Sequence, residues 1–524
     1  MPTLRFSLKQ SLQAMTTRYL IKQATVIPFT LQPDGALDLD PRVQDVLIVG
    51  DQIVEVADHI ELGPEPMQVI DAHDHLLIPG FVNAHAHSVE ILEKGRYEAL
   101  PLEAWMLYSY PPLKGKHLSP RMCYLRTMLG ALEVVKSGTT TLQDDLIELP
   151  YITPEIFAAV AQAYIDIGLR VSLTHHVINL PLYKTIPYLE GFLPDDVRQD
   201  LDAMAGLDDD TWLSFFKSFY ADWHRKEGLM TLALAPSAPQ RVTPELMHQI
   251  ADLSESLDIP IHTHMLETKT QAVTGSEFYG PGETIVSYGK KHGILTHRTA
   301  IAHGIWLTDQ DVEMIAEAGA TVVHNVVSNH RLCSGIAPIR QLMDAGVNIA
   351  LGSDGMSSND SFNMFDVLKM AGQVHSVTQP DYSRYPRARD VLKWGTYGGA
   401  RSALLQDQVG AIAPGFKADC VLYDLNTTSF IPRGDLPIHL VYAEHGSSIR
   451  KVFINGQLVV EDGAVLTVDE SALLGELQDL LAEYEPERAE LYRQAERLMP
   501  SIEATYQKAM AQPLSIERFT RIEK

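Results

Sequence analysis

Eight short apolar segments, separated by stretches with helical spacing, constrain this chain more than any other feature of its sequence. Near-continuous apolar runs of this length are typical of parallel strands that are buried on both faces. The eight segments are GFVNAHAH (80–87), TTTLQDD (139–145), RVSLTHHV (170–177), MTLALAP (230–236), IPIHTHM (259–265), TAIAHGI (299–305), ATVVHNV (320–326) and VNIALGSDG (347–355).

The stretches between these segments show the spacing of helices. On one helical face lie Met122, Leu125, Leu129, Leu132 and Val135, which recur at intervals of three and four residues. Strands and helices that alternate in this way predict an α/β fold in the form of a (β/α)₈ TIM barrel. A doubly wound sheet is the alternative. The barrel is favoured because almost every strand ends in histidine or acid, where a barrel places its reactive groups.

Both ends of the chain lie outside this repeat. Residues 18–79 and 409–468 are rich in short strands and turns, and neither block has a helical partner of its own. We expect the two blocks to pair into one small discontinuous β-sandwich beside the barrel of residues 80–408. Residues 469–524 form a mostly helical tail, which we assign to packing or oligomerisation. Residues 1–17 are expected to be a frayed leader.

A long insertion, residues 181–228, follows the third strand of the repeat. It contains an amphipathic helix whose aromatic residues are Trp212, Phe215, Phe216, Phe219, Tyr220 and Trp223. Packing against the barrel is the favoured interpretation of this helix. An active-site lid and a subunit contact are the alternatives.

Charge and cysteine content disfavour several classes of function. With 42 Lys and Arg against 67 Asp and Glu, the net charge is −25, which opposes electrostatic binding to nucleic acid or anionic lipid. No apolar run approaches the ~18 residues of a membrane span. Three scattered cysteines make neither a disulfide framework nor a cysteine zinc site. Since the first residues also lack the apolar region of a secretory signal, we expect a cytoplasmic protein.

Three pairs of histidines are spaced two residues apart. Side chains at this spacing share one face of a strand, which suits two ligands of one metal ion. The pairs are His73/His75, His85/His87 and His262/His264. The first pair precedes the barrel and is interpreted as surface histidine, whereas the second pair ends the first barrel strand.

Later strands supply partners for this second pair. They are His264 with Glu267, then His303, then Asp354. Glu267 follows His264 by three residues, so its carboxylate reaches the same side only if the strand gives way to a loop. Three neutral imidazoles and one carboxylate suit a zinc shell with an open position for water, whose pKa such a site lowers to ~7.

Six motifs together resemble the amidohydrolase superfamily. They are PGFVNAHAH, HTHMLETK, IAHGIWLTDQD, VVHNVVSN, SGIAPIRQLMDAGVNIALGSDG and SSND. They are most similar to its cytosine-deaminase-like and chlorohydrolase-like branch, which includes the methylthioadenosine/S-adenosylhomocysteine deaminases. The resemblance covers residues from about 20 to 468, and it implies a (β/α)₈ barrel with a small β-sandwich built from both termini.

Carried over residue by residue, the resemblance implies a site. The ligands of one divalent metal would be His85, His87, His264 and Asp354. Zn²⁺ is the expected metal and Fe²⁺ the alternative. The catalytic residues would be Glu267, His303 and Asp354. Glu103 and Trp105, in the stretch LPLEAW, would lie near the substrate. The third and fourth strands contain no lysine that could bridge a second metal, so a single metal is expected.

These residues lead to a hypothesis about the reaction. Metal-activated water attacks an sp² carbon that bears an amino group, with Asp354 or His303 helping to deprotonate it. Glu267 carries a proton to the ring nitrogen and then to the departing amine, and His303 stabilises the tetrahedral intermediate. The reaction is hydrolytic deamination of an amino-substituted N-heterocycle (a purine, pyrimidine, triazine or nucleoside-like compound) with release of ammonia.

Two alternatives to this function are kept. The first is a hydrolase that displaces chloride, an alkylamine or an amide nitrogen with the same machinery. The second, from another class, is a non-catalytic assembly protein on an amidohydrolase scaffold. Glu267 favours deamination over the first because it can protonate a basic nitrogen, and the complete set of ligands disfavours the second.

Departures from the family pattern leave the exact substrate open. After the fourth strand the chain has Ser237 where family members often carry histidine. Gln240 and Arg241 are candidates for contact with a heterocycle, although solvated loop residues are the favoured interpretation. His330 either reaches the ligand or caps a loop. The expected partner is a small heterocyclic substrate, and the aromatic insertion and helical tail are compatible with a homo-oligomer.

Overall fold

The computed structural model describes residues 17–113, 118–203 and 207–519. Most of the expected leader and the last five residues of the expected tail therefore lie outside the described residues. The strands, numbered β1 to β18, are Arg18–Val26, Arg42–Val49, Gln52–Ala57, Gln68–Asp71, His75–Pro79, Phe81–His87, Thr139–Asp144, Arg170–Val177, Met230–Pro236, Ile261–Met265, Thr299–His303, Thr321–His324, Asn348–Leu351, Asp354–Gly355, Cys420–Asp424, Ile449–Ile454, Gln457–Glu461 and Ala464–Val465.

The α-helices of the same ranges connect and surround these strands. Numbered α1 to α17, they are Leu102–Ser109, Pro120–Lys136, Pro154–Ile167, Asp195–Asp202, Asp209–Trp223, Pro244–Leu257, Lys269–Tyr279, Ile285–Lys291, Asp309–Ala318, Val326–Arg331, Ile339–Asp344, Met364–Val374, Ala388–Lys393, Gly399–Ser402, Leu436–Tyr442, Glu470–Glu496 and Met499–Met510. Within these ranges, none of the helices has the length and apolar character that a bilayer crossing requires.

Strands β6 to β14 form one parallel sheet that closes into a barrel. In this sheet β13 pairs with β12, β14 pairs with β6, and β6 to β12 run side by side between them in chain order. Only two residues separate β13 from β14, so they are two pieces of one eighth strand that reaches both edges of the sheet. The predicted (β/α)₈ barrel is confirmed.

The remaining strands form a second sheet from both ends of the chain. Its order is β18-β17-β16-β15-β5-β1-β2-β3, with β4 paired to β1. Strands β5 and β15 meet in antiparallel register and join the two terminal blocks. Alternate residues face opposite sides: Leu77 and Cys420 enter the small domain's own core, whereas Leu76 and Val421 enter the core shared with the barrel. The structure thus confirms that both terminal blocks pair into one separate sheet.

The aromatic insertion helix and the helical tail both pack against the barrel's outer layer. Trp212 and Phe216 of α5 are buried in the main core, and Phe219 stacks on Phe157 of α3 with ring centroids 4.0 Å apart. This contact agrees with the favoured interpretation of the aromatic helix as a packing element. In the tail, Leu477 of α16 is buried with Met122 of α2.

A buried ion pair joins the barrel to the β domain. Arg170 begins β8, and its Nε and Nη2 atoms lie 2.7 and 3.0 Å from the two carboxylate oxygens of Asp419. The same guanidinium donates to the carbonyl oxygen of Gly228 and to Asn455 Oδ1. The two charged side chains are only 4% and 1% exposed. Each depends on the other, because removal of one partner leaves an uncompensated charge away from water.

We expect Asp419→Ala to lower the free energy of unfolding by about 3–5 kcal/mol, because Arg170 would stay buried without its counter-ion. Urea unfolding followed by circular dichroism measures this difference. Glu317→Ala is the matched control, since Glu317 forms an exposed pair with Lys290 at 3.1 Å and its loss should cost less than about 1 kcal/mol. Equal effects of the two substitutions would contradict the role assigned to the buried pair.

Candidate metal centre and active site

The closure of the barrel brings His85, His87 and Asp354 together. His85 and His87 lie two residues apart at the end of β6, and Asp354 of β14 pairs in register with Ala86 between them. His85 Nε2 lies 3.4 Å from Asp354 Oδ1, and His87 Nε2 lies 3.5 Å from the same oxygen. The first and eighth strands therefore contribute three potential metal ligands to one point.

His264 approaches this point from β10. Its Nε2 atom lies 3.3 Å from His87 Nε2, and its ring centroid is 4.9 Å from that of His85. In the described ranges, the ligand atoms of His85, His87 and Asp354 lie within 4.8 Å of one another, and those of His85, His264 and His303 do so as well. The four ligands expected from the sequence are thus neighbours in space.

The ring nitrogens fit a cation at this point. His87 Nδ1 lies 2.8 Å from the carbonyl oxygen of Asp145, and His264 Nδ1 lies 2.9 Å from that of Ser237. A carbonyl oxygen only accepts, so both rings carry a proton on Nδ1 and direct Nε2, the atom that would bind a metal, to the centre. His85 Nε2 is buried and has no hydrogen-bond partner in the part of the chain that the structure describes. A metal ion would accept the lone pair of this nitrogen.

The charges at this point fit a cation too. Burial lowers the pKa of His85 to about 4, which keeps the ring neutral as a ligand must be. Burial alone would raise the pKa of Asp354, but the close approach of His85 and the other nearby imidazoles hold it well below its usual range. Burial alone would lower the pKa of His87, yet Glu90, Asp354 and Asp145 raise it to about 9, so without a metal this ring holds a second proton on Nε2 at neutral pH, which a bound metal ion would displace. This negative surrounding attracts a positive ion.

Glu267 and His303 lie beside the ligands. Strand β10 ends at Met265, and Leu266 adopts a φ of +53°, so the chain turns and Glu267 faces His303 instead of continuing the strand. Glu267 Oε1 lies 3.7 Å from His303 Nε2, which lies 3.9 Å from Asp354 Oδ2. Burial raises the pKa of Glu267 to about 7, so this carboxyl can gain and lose a proton near neutral pH.

Two of these residues have strained backbones. His303 and Asp354 have φ values of +74° and +65°, which lie in the left-handed region that residues other than glycine rarely adopt. Each is fixed by a neighbour: His303 Nδ1 lies 2.9 Å from Asn329 Oδ1, and Ser328 Oγ donates to Asp354 Oδ2 at 2.6 Å. Strain of this kind concentrates at functional sites, where the surrounding structure holds it in place.

A cavity of about 480 Å³ opens onto the cluster. Its lining includes Glu103 and Trp105, as the resemblance implies, together with Arg241. The other two candidate substrate-binding residues, Gln240 and His330, lie outside the lining. Gln240 is buried in a 3₁₀ turn, and the ring of His330 lies 2.6 Å from the carbonyl oxygen of Val326 one helical turn back.

Several residues that support the site were not assigned from the sequence. The backbone carbonyl of Asp145 accepts a hydrogen bond from the His87 ring, and its Oδ1 atom lies 2.9 Å from His176 Nδ1. The two acids that end the segment TTTLQDD were a sequence signal for this residue. Tyr110 lines the cavity and donates to the buried Glu90 at 2.5 Å. Glu90 follows His87 by three residues, but no periodicity distinguishes it from an exposed acid.

The sequence is similar to those of known proteins over most of its length. The model of the amidohydrolase family matches residues 76–459 of the chain. The 5'-deoxyadenosine deaminase of Methanosarcina barkeri is 30% identical over 460 residues, which are 88% of this chain and 96% of the relative. The 5-methylthioadenosine/S-adenosylhomocysteine deaminase of Nitratidesulfovibrio vulgaris is 31% identical over 451 residues, 86% and 93% of the two chains.

Solved structures agree in fold. An adenosine deaminase from Xanthomonas campestris with bound zinc has a TM-score of 0.77 and 25% identity, over 90% of this chain and 99% of that one. A variant of atrazine chlorohydrolase from Arthrobacter aurescens, complexed with zinc and atraton, has a TM-score of 0.77 and 24% identity, over 88% and 99%. With a family match over most of its length and relatives aligned nearly end to end, the chain belongs to the amidohydrolase family.

Proposed function

We propose that the protein is a metal-dependent hydrolytic deaminase of an amino-substituted N-heterocycle. It is a hydrolase of carbon–nitrogen bonds other than peptide bonds. The observation that carries this proposal is the position of Glu267, a buried carboxyl with a pKa raised to about 7, 3.7 Å from His303 and on the wall of the same cavity as the ligand cluster. The names of the two deaminase relatives support a nucleoside-like heterocycle.

We assign the metal to His85, His87, His264 and Asp354. Three imidazoles and a carboxylate form a shell typical of catalytic Zn²⁺, and an open position for water completes it. When bound, such an ion lowers the pKa of water to ~7 and so supplies hydroxide at neutral pH. The zinc in the solved relative from Xanthomonas campestris supports this choice of metal over Fe²⁺.

Glu267 is assigned to proton transfer at the heterocycle. Addition of water to the carbon that bears the amino group places electrons on the adjacent ring nitrogen, which Glu267 protonates. The resulting carboxylate takes the hydroxyl proton of the tetrahedral intermediate and passes it to the amino group, which leaves as ammonia. The proton that Asp354 took from the water then restores the Glu267 carboxyl. A group with a pKa near the working pH serves both directions of transfer. An amino group must gain a proton to leave as ammonia, whereas chloride leaves without one. A carboxyl in the position of Glu267 can supply this second proton, which favours deamination over dechlorination.

His303 and Asp354 are assigned to the attacking water. Both side chains face the ligand cluster, with Nε2 and Oδ2 3.9 Å apart. Asn329 fixes the His303 ring from its far side, so the Nε2 atom stays directed at the centre. We propose that Asp354 takes the proton of the water and that His303 stabilises the oxyanion that develops on the attacked carbon.

Glu103 and Trp105 are assigned to substrate binding. Both line the cavity, and an indole face suits stacking with a flat heterocycle. Glu103 accepts a hydrogen bond from Thr268 Oγ1 at 2.8 Å on one oxygen. Its other oxygen is buried and has no partner among residues 17–113, 118–203 and 207–519. That oxygen is available to a hydroxyl or amino group of the substrate.

A cytoplasmic location, a homo-oligomer and domain limits at residues 79/80, 408/409 and 468/469 stay predictions. The net charge of −25 supports the further expectation that the protein binds neither nucleic acid nor anionic membranes. Its small-molecule substrate enters the cavity described above.

Glu267→Gln is expected to lower kcat by about 10²–10⁴-fold, because the amide cannot transfer the proton. Ammonia release from aminopurines, aminopyrimidines and aminotriazines is the measurement, with metal content determined in parallel. Glu245→Gln, the same change at an exposed position of α6, is the control and should leave kcat unchanged. Wild-type turnover in Glu267→Gln would refute the assigned role, and no ammonia from any of the three classes would refute the deaminase.

His264→Ala is expected to lose most of the bound metal during dialysis against a chelator concentration at which the wild-type protein keeps one equivalent. The reason is that a shell with one imidazole fewer binds zinc more weakly. Elemental analysis of the dialysed proteins measures the difference. His73→Ala removes an exposed histidine outside the cluster and should retain the metal; equal retention by both variants would argue against the assigned ligands.

A further inference from the structure

Part of the cavity wall is built by the insertion and the tail, together with helix α1. Leu107 of α1, Ile186 and Leu201 of the insertion, and Ile502 of the tail helix α17 all line the cavity. The same residues belong to one buried apolar cluster, which also contains Leu498 and is separate from the main core. We call this cluster the roof cluster. The metal ligands come from the barrel strands, whereas the roof cluster comes from α1, the insertion and the tail.

The tail helix is held firmly over the cavity. Lys269, two residues after Glu267, donates from Nζ to the carbonyl oxygen of Met510 at 2.8 Å. On the insertion side, Ser501 Oγ donates to the carbonyl oxygen of Phe192 at 2.9 Å. Ile502 lies between these two attachments and is only 1% exposed. Its position is therefore set by contacts with both the catalytic loop and the insertion.

The roof cluster presents only aliphatic side chains to the cavity. A polar or charged group of a ligand placed against Leu107, Ile186, Leu201 and Ile502 would lose water and gain no hydrogen bond from these side chains, whereas an apolar group would be stabilised there. The tail that supplies Ile502 also lies beyond residue 459, where the match to the amidohydrolase family ends. Of the four cavity-lining residues of the roof cluster, Ile502 therefore lies outside the family's matched region.

We propose that Ile502 is a specificity-determining residue, and that the tail helix limits the substrate's substituent to an uncharged apolar group of restricted size. This inference rests on the proposed deaminase function for its kinetic test. Ile502 makes no contribution to the proton transfers, so it acts on which heterocycle binds and leaves the chemistry of the bound one unchanged.

The kinetic test compares adenine, which has no substituent, with 5'-methylthioadenosine and 5'-butylthioadenosine. Ile502→Trp fills the roof and is expected to lower kcat/KM for 5'-methylthioadenosine by about tenfold or more through KM, with adenine changed less than about twofold. Ile502→Ala enlarges the roof and is expected to raise the ratio of kcat/KM for the butylthio over the methylthio compound by about tenfold. The two variants change the cavity in opposite directions, so a folding defect in one leaves the other informative.

Leu498→Ala is the matched control. Leu498 is buried in the same cluster and on the same tail but does not line the cavity, so its truncation should weaken packing without changing the ratios between substrates. If Leu498→Ala shifts these ratios as much as the Ile502 variants do, or if the Ile502 variants change kcat/KM equally for all three compounds, the inference is wrong.

A binding measurement separates this inference from the proposed function. The neutral dye N-phenyl-1-naphthylamine becomes fluorescent in an apolar cavity and requires no catalysis. Ile502→Trp is expected to raise its Kd by about tenfold and Leu498→Ala by less than about twofold. If this pattern appears while no heterocycle is deaminated, the proposed function fails and the role of the tail stands. If the dye binds both variants and the wild type equally, the role of the tail fails.

Discussion

A carboxylate and three imidazoles that are enclosed at one end of a barrel require a compensating positive charge, and much of the structure serves this requirement. The split eighth strand places Asp354 against His85 and His87. Backbone carbonyl groups of neighbouring strands then fix the rings of His87 and His264 through their Nδ1 atoms. Ligands oriented in this way lose little freedom when an ion binds, which is why such outer contacts strengthen metal binding.

The proton-transferring residues depend on local breaks in otherwise regular strands. A continued β10 would direct Glu267 away from His264, and the positive φ of Leu266 prevents this. Similar left-handed conformations at His303 and Asp354 direct their side chains toward the cavity. Each break costs free energy, and the buried parallel strands on either side hold the conformation. The regular strands of the barrel thus hold the irregular backbone that carries the proton-transferring residues.

Much of the fold and of the ligand cluster could be predicted from the sequence, because both follow from short-range patterns. Apolar runs that end in histidine or acid identify strand ends, and barrel closure brings those ends together. The loop residues could not be predicted in this way. Arg241 lines the cavity while its neighbour Gln240 does not, and Ile502 reaches it from a tail expected only to pack or oligomerise. Their positions depend on contacts between distant segments, which no periodicity encodes.

The antiparallel pairing of β5 with β15 has a consequence for how the protein is made. Cys420 pairs with Pro79, so the segment enclosed between these two strands contains the entire barrel. The entropic cost of closing a loop grows slowly with its length, so the folded state tolerates a loop of this size. During synthesis, however, β5 leaves the ribosome long before β15 exists. The edge of β5 that pairs with β15 therefore stays without its partner strand until the whole barrel sequence has been translated.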